Sequence, residues 1–173
     1  MTNKVLILDI EAENGSPREG RILCIGTFDV DRSKTIVFTD ELERYIIERF
    51  VRYFNYRKFE QIIGYNLPFD LRFIFAKCMK YGIDGGLLFK ARTVDLMRIM
   101  KSINGMPSMN RPGKLGEWGE YLFGFGKLKK ACSVNKLFQQ KRFSEMVYYN
   151  KQDLKLTYLL WRRSEMVLNG NKM

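Results

Sequence analysis

Histidine is missing from all 173 residues of this chain, and that absence removes a large part of enzyme chemistry. No Ser-His-Asp triad, imidazole general base or His-ligated zinc site can be built. Any hydrolytic chemistry has to run on carboxylates, Tyr, Lys or Cys. Cysteine is scarce as well. Cys24, Cys78 and Cys132 are widely spaced, sit among apolar neighbours and match neither a zinc-ligand spacing nor a paired framework. They read as reduced packing residues of an intracellular protein, so a cytoplasmic location is expected. No apolar run is long enough to span a bilayer, and the start lacks a signal peptide's basic and apolar regions, so no membrane role is expected. No internal repeat or linker divides the chain, and residues 1–173 are expected to form a single domain.

Hydrophobic residues at 46% and charged residues at 28% indicate a globular chain rather than a disordered one. Lys and Arg outnumber Asp and Glu by 30 to 19, a net charge of +11. An excess of that size points to a polyanionic partner, nucleic acid ahead of an anionic membrane surface.

The stretch from Lys4 to Glu11 is the organising element. Val5, Leu6, Ile7, Leu8 and Ile10 read as a central strand buried on both faces. Side chains alternate along a strand, so Asp9 and Glu11 share one face with Val5 and Ile7, their Cα atoms roughly 7 Å apart. Two carboxylates at the end of a buried strand are costly unless something compensates them. A divalent cation between them would do so. Salt bridges to some of the many Lys and Arg residues would do so too.

Beyond a turn-rich loop at 13–20, strands are expected at 21–30, 35–39, 61–64 and 93–96. A helix is expected from Glu41 to about Arg57, with Asp40 as N-cap and Leu42, Tyr45, Ile46, Phe50 and Phe54 on its apolar face. Pro68 suits the first turn of a second helix, running to about Tyr81 with Leu71, Ile74, Phe75 and Cys78 inward. A mobile loop is expected at 104–113, a short helix from Leu115 to about Phe123 and a long one from about Ser144 to Val167. This order implies an α/β fold: a mixed sheet with helices on both faces.

Two more acids matter. Asp70 lies in the first turn of its helix, four residues after Asn66, where favourable interaction with the helix dipole is its ordinary role. Asp153 follows Tyr149 by four residues, so the two project from one helical face. Taken in order, Asp9-Ile-Glu11, Gly64-Tyr-Asn66-Leu-Pro-Phe69-Asp70 and Tyr149-Asn-Lys-Gln-Asp153 resemble the three motifs of the DEDD superfamily of 3′–5′ exonucleases. The subclass is the one with a tyrosine in the third motif, which fits the lack of His. The three residues between Asn66 and Asp70 are similar to the proofreading domains of protein-primed family B DNA polymerases.

The resemblance implies a ribonuclease H-like fold with a mixed five-stranded sheet flanked by helices. It also implies hydrolysis of single-stranded DNA from the 3′ end to nucleoside 5′-monophosphates, with two Mg²⁺ or Mn²⁺ ions as cofactors. The four ligands it assigns are Asp9, Glu11, Asp70 and Asp153, oxygen donors of the kind hard cations take. Asp9 would bridge both ions, Glu11 and Asp153 would hold the nucleophile-side ion, and Asp70 would serve the other. Tyr149 would orient the attacking water, since a phenol with a pKa of about 10 is a poor base at neutral pH. Asn66 and Phe69 are candidates to hold the terminal nucleotide. Ala12 stands where such domains often have a Thr that contacts substrate. The alternatives are a 3′–5′ exoribonuclease of the same fold, acting on RNA, and a catalytically silent nucleic-acid-binding domain. Asp95 is a weak fifth acidic candidate with a structural role expected. Lys114, Lys127, Lys129, Lys130, Lys136, Lys141 and Arg142 are candidates to line the strand's path, and Tyr148 is expected to pack.

Overall fold

The computed structural model describes residues 4–103, 113–127 and 133–170. The loop expected at 104–113 falls almost wholly outside the described residues, as do Lys129, Lys130 and Cys132. Among the described residues, β1 (Val5–Ala12), β2 (Ile22–Asp29), β3 (Lys34–Thr39), β4 (Gln61–Gly64) and β5 (Arg92–Asp95) form one sheet in the order β3-β2-β1-β4-β5. The first three strands run antiparallel as a meander, and β4 and β5 add parallel to β1. This is the mixed five-stranded sheet expected from the sequence.

β1 divides two cores. Leu6, Leu8 and Ile10 pack against α1 (Glu43–Arg57) and α2 (Leu67–Tyr81), where Ile46, Phe50, Phe54, Phe73 and Ile74 lie buried. Val5 and Ile7 face α7 (Phe143–Asn169), meeting Leu154, Leu156 and Leu160. Leu96 and Met100 of α4 (Leu96–Ile103) and Leu115 of α5 (Leu115–Phe123) close that second core. Asp9 and Glu11 continue the α7 face, so α7 covers both the apolar half of the strand and its acidic end.

Three helices were not expected from the sequence: α3 (Gly86–Lys90), α4 and α6 (Val134–Gln139). Five to eight residues give too few turns for a helical period to emerge. Two faces also differ. Leu42 and Tyr45 are exposed, and the inward stripe of α1 runs through Glu43, Ile46, Ile47, Phe50, Val51, Phe54 and Arg57. On α2, Phe75 is turned to solvent while Phe73 and Lys77 point inward. The cause is a buried charge pair. Glu43 accepts from the Ile22 amide at 2.7 Å and the Tyr81 hydroxyl at 2.6 Å, with the Lys77 ammonium 3.2 Å away. An apolarity pattern assigns no inward place to such residues. Asp40 is not the N-cap of α1 but accepts from the Leu42 amide one step earlier, at 3.0 Å.

A second buried pair ties the meander to α1. Asp29, at the end of β2, receives Arg57 Nε at 2.7 Å, Arg57 Nη2 at 3.2 Å and the Tyr53 hydroxyl at 3.0 Å. Burial alone would raise this carboxyl, but the bonds from Arg57 and Tyr53 outweigh it and hold the pKa below its ordinary value. Its stabilising contribution is therefore present above the unfolded value of about 4 and lost as pH falls through the lower folded value. Arg57→Leu leaves Asp29 buried without its partner, an expected loss of about 3–5 kcal/mol at pH 7 in urea unfolding. The loss should shrink toward pH 3, where Asp29 is neutral in the variant. Equal losses at both pH values would show that the pair does not act through charge.

Candidate active site

Four acidic side chains meet at the C-terminal end of β1. Strand alternation sends Asp9 and Glu11 toward α7, and the helix brings Asp153 across from the other side. One carboxylate oxygen from each of these three residues lies within 4.8 Å of the other two. Asp70 stands beside this triangle rather than in it. It enters from the first turn of α2, where its Oδ1 accepts the Ile10 amide at 2.8 Å, so it is fixed to the residue between Asp9 and Glu11.

Like charges held this close in a buried setting strain one another. Burial raises the Asp9 carboxyl well above its ordinary value, and Asp70, Asp153 and Glu11 raise it further, with Lys127 opposing. Burial pushes Asp70 up to about 8, against the amide bond from Ile10 and with Asp95 and Glu11 adding to the rise. The Lys127 ammonium lies 2.7 Å from Asp153 Oδ2. Burial would lower its pKa, but Asp153, Asp9 and Glu11 prevail and hold it above the ordinary lysine value. One ammonium does not balance four carboxylates.

Local structure fixes each of these groups. The N-cap of α2, Asn66, sits in the left-handed region at φ 64°, where Asn is among the few tolerated residues. Asp95 holds it there, its Oδ1 accepting the amides of Asn66 at 2.8 Å, Leu67 at 3.3 Å and Met97 at 3.1 Å. The structural role expected for Asp95 is thus to set the start of the helix that carries Asp70. Gly124 ends α5 at φ 73°, and the chain returns to place Lys127 on Asp153. Asn150, fully buried on α7, donates from Nδ2 to Asp9 Oδ2 at 2.7 Å.

The other candidates are spread around this centre. Tyr149 is half-buried on α7 against Leu23, Cys24, Leu137 and Met146. Tyr148, expected to pack, is instead exposed beside it. Phe69 is half-buried, its ring centroid 4.9 Å from that of Phe73 and 5.0 Å from the Arg72 guanidinium. Ala12 lies past the irregularity at Glu11/Ala12 and packs against the α1–α2 core. Of the basic candidates, Lys141 pairs with Glu41 and Arg142 with Glu145. Sequence reasoning did not single out Asn150, nor place Lys127 at the acids. Asn150 precedes Asp153 by three residues and so shares its face, a signal that was available. Lys127 reaches the site only through the turn after α5, which no periodicity reports.

The RNase H superfamily model matches residues 6–164. The chain belongs to the RNase H superfamily. The chain is also similar to the uncharacterized protein MJ0365 of Methanocaldococcus jannaschii, 32% identical over 118 residues. That match covers 67% of this chain and 64% of the relative's length. Its fold is similar to a family B DNA polymerase from the hyperthermophilic archaeon Pyrobaculum calidifontis, with a TM-score of 0.75 at 21% identity. The likeness covers 96% of this chain and 25% of that polymerase chain. Among the described residues no helix is long and apolar enough to cross a membrane.

The strain among these four acids is measurable without substrate. Asp70→Asn keeps an oxygen for the Ile10 amide and removes a buried carboxyl whose ionisation the fold opposes. In EDTA at pH 8 the variant is expected to melt several degrees above wild type, at about 2–4 °C per kcal/mol for a chain of this size. A melting temperature equal to or below wild type would show that the charges do not oppose folding.

Proposed function

We propose that this chain is a metal-dependent 3′–5′ exonuclease of the DEDD superfamily, tyrosine subclass, acting as one domain on single-stranded DNA in the cytoplasm. The observation that carries the reading is the triangle of Asp9, Glu11 and Asp153 with Asp70 beside it and Tyr149 one helical turn from Asp153. The motif resemblance and the structural likeness to a family B DNA polymerase point the same way.

The donor set fits hard divalent cations such as Mg²⁺ or Mn²⁺. It is all carboxylate oxygen, one oxygen each from Asp9, Glu11 and Asp153 lies within 4.8 Å of the others, and Lys127 alone does not offset the burial and crowding that raise the Asp9 and Asp70 carboxyls. Asp9, Glu11 and Asp153 would hold one ion, and Asp9 with Asp70 a second. Ions bound there supply charge neutralisation at a scissile phosphate and water that ionises near neutral pH.

The chain's own groups do the rest. The Tyr149 hydroxyl orients the attacking water by hydrogen bond, a positioning role. Asn66 and the half-exposed Phe69 ring, at the mouth of α2, grip the terminal nucleotide by hydrogen bond and stacking. Ala12 leaves the first motif without the hydroxyl that related domains offer the substrate. The net charge of +11 draws the strand backbone to the protein.

Digestion of end-labelled oligonucleotides tests the activity. With Mg²⁺ or Mn²⁺, single-stranded DNA is expected to shorten nucleotide by nucleotide from the 3′ end and release mononucleotides, and EDTA should stop it. Internal cuts in circular single-stranded DNA would contradict the exonuclease reading. Faster digestion of RNA would assign the exoribonuclease alternative, and binding without cleavage the silent one. Tyr149→Phe removes one hydroxyl, so turnover is expected to fall by about 10²-fold or more with the fold and metal response retained. Full activity in Tyr149→Phe would remove Tyr149 from the mechanism.

A further inference from the structure

Asn150 is fully buried, yet half of its amide has no hydrogen-bond partner among the described residues. Nδ2 donates to Asp9 Oδ2 at 2.7 Å and lies 3.5 Å from the Asp9 backbone carbonyl, while Oδ1 is the unpaired atom. Opposite Asp9 on β2 stands Gly26. A Cβ at Gly26 would come within 1.7 Å of Asn150 Oδ1 and 2.9 Å of Leu154 Cδ1. Only a residue without a side chain admits the amide there.

Packing does not account for this arrangement. A buried acceptor with no partner costs stability, and an apolar side chain of similar size beside Leu154 would avoid that cost. The bond to Asp9 accounts for it. The second side-chain torsion of an Asp is broad, so a carboxylate with no donor rotates among neighbouring charges. An amide on one oxygen sets the plane of the group. The same amide supplies a neutral donor at the one acid that Asp70, Asp153 and Glu11 all oppose.

We propose that Asn150 is a positioning residue that orients Asp9 as a cation ligand, and that Gly26 is the vacancy in β2 that lets it do so. The inference rests on the metal reading above and concerns the groups behind the ligands. Partners that orient a metal ligand typically set affinity by about 10–100-fold.

Calorimetric titration of Mn²⁺ into metal-stripped protein tests it, with the melting temperature in EDTA recorded for each variant. Asn150→Leu is expected to weaken Mn²⁺ binding by about 10–100-fold without lowering the melting temperature. Gly26→Ala, which expels the amide, should weaken binding similarly and also melt lower. In Gly26→Ala/Asn150→Ala the clash with the amide is gone, so part of the lost melting temperature should return and none of the lost affinity. Asn150→Ala alone adds no bulk and gives the same reading should Asn150→Leu not fold. Wild-type affinity in the Asn150 variants would overturn the proposal, as would affinities that follow melting temperature across the set. Absence of Mn²⁺ binding in wild type would overturn the metal reading itself and this inference with it.

Discussion

Four carboxylates packed around the end of one buried strand set the terms for the rest of this structure. Coulomb repulsion and lost hydration both act against them, and neither weakens in a low-dielectric setting. A fold gains nothing from such a cluster by itself. It persists because the surrounding elements over-determine each acid: strand alternation for Asp9 and Glu11, the Ile10 amide for Asp70, and α7 for Asp153. The Lys127 ammonium, 2.7 Å from Asp153, is the protein's own partial answer to the charge.

The architecture serves that centre. β1 is the middle strand, so its acidic end can be approached from both faces and from the neighbouring β4–α2 turn. Among the described residues, the buried pairs Asp29–Arg57 and Glu43–Lys77 each set a basic group against an acid, with further hydrogen bonds from Tyr53 to Asp29 and from Ile22 and Tyr81 to Glu43. Those pairs lock elements together. The acids at β1 are under-matched, and that contrast is what supports the metal proposal. The left-handed Asn66, stabilised by Asp95, is a second local cost at the same place.

Much of this was readable from residues alone, and for physical reasons. A two-residue period over an apolar run places Asp9 and Glu11 on one face whatever the fold. A four-residue helical spacing does the same for Tyr149 and Asp153. The mixed sheet follows from a meander succeeded by strand–helix alternation. What escaped were interactions between distant segments. Glu43 and Lys77 claim inward positions that apolarity assigned to Leu42, Tyr45 and Phe75, because each charge is solvated by the other. Lys127 arrives by a turn, and the fit of Asn150 depends on an absent side chain on another strand. No local pattern encodes either.

The metal proposal requires the β1 cluster to hold a cation in place of Lys127. An anomalous difference map from a crystal of the protein soaked in Mn²⁺ tests this directly. A peak is expected among the carboxylates of Asp9, Glu11 and Asp153, with the Lys127 ammonium withdrawn from Asp153. No peak there at millimolar Mn²⁺, with the Lys127–Asp153 pair intact, would contradict it.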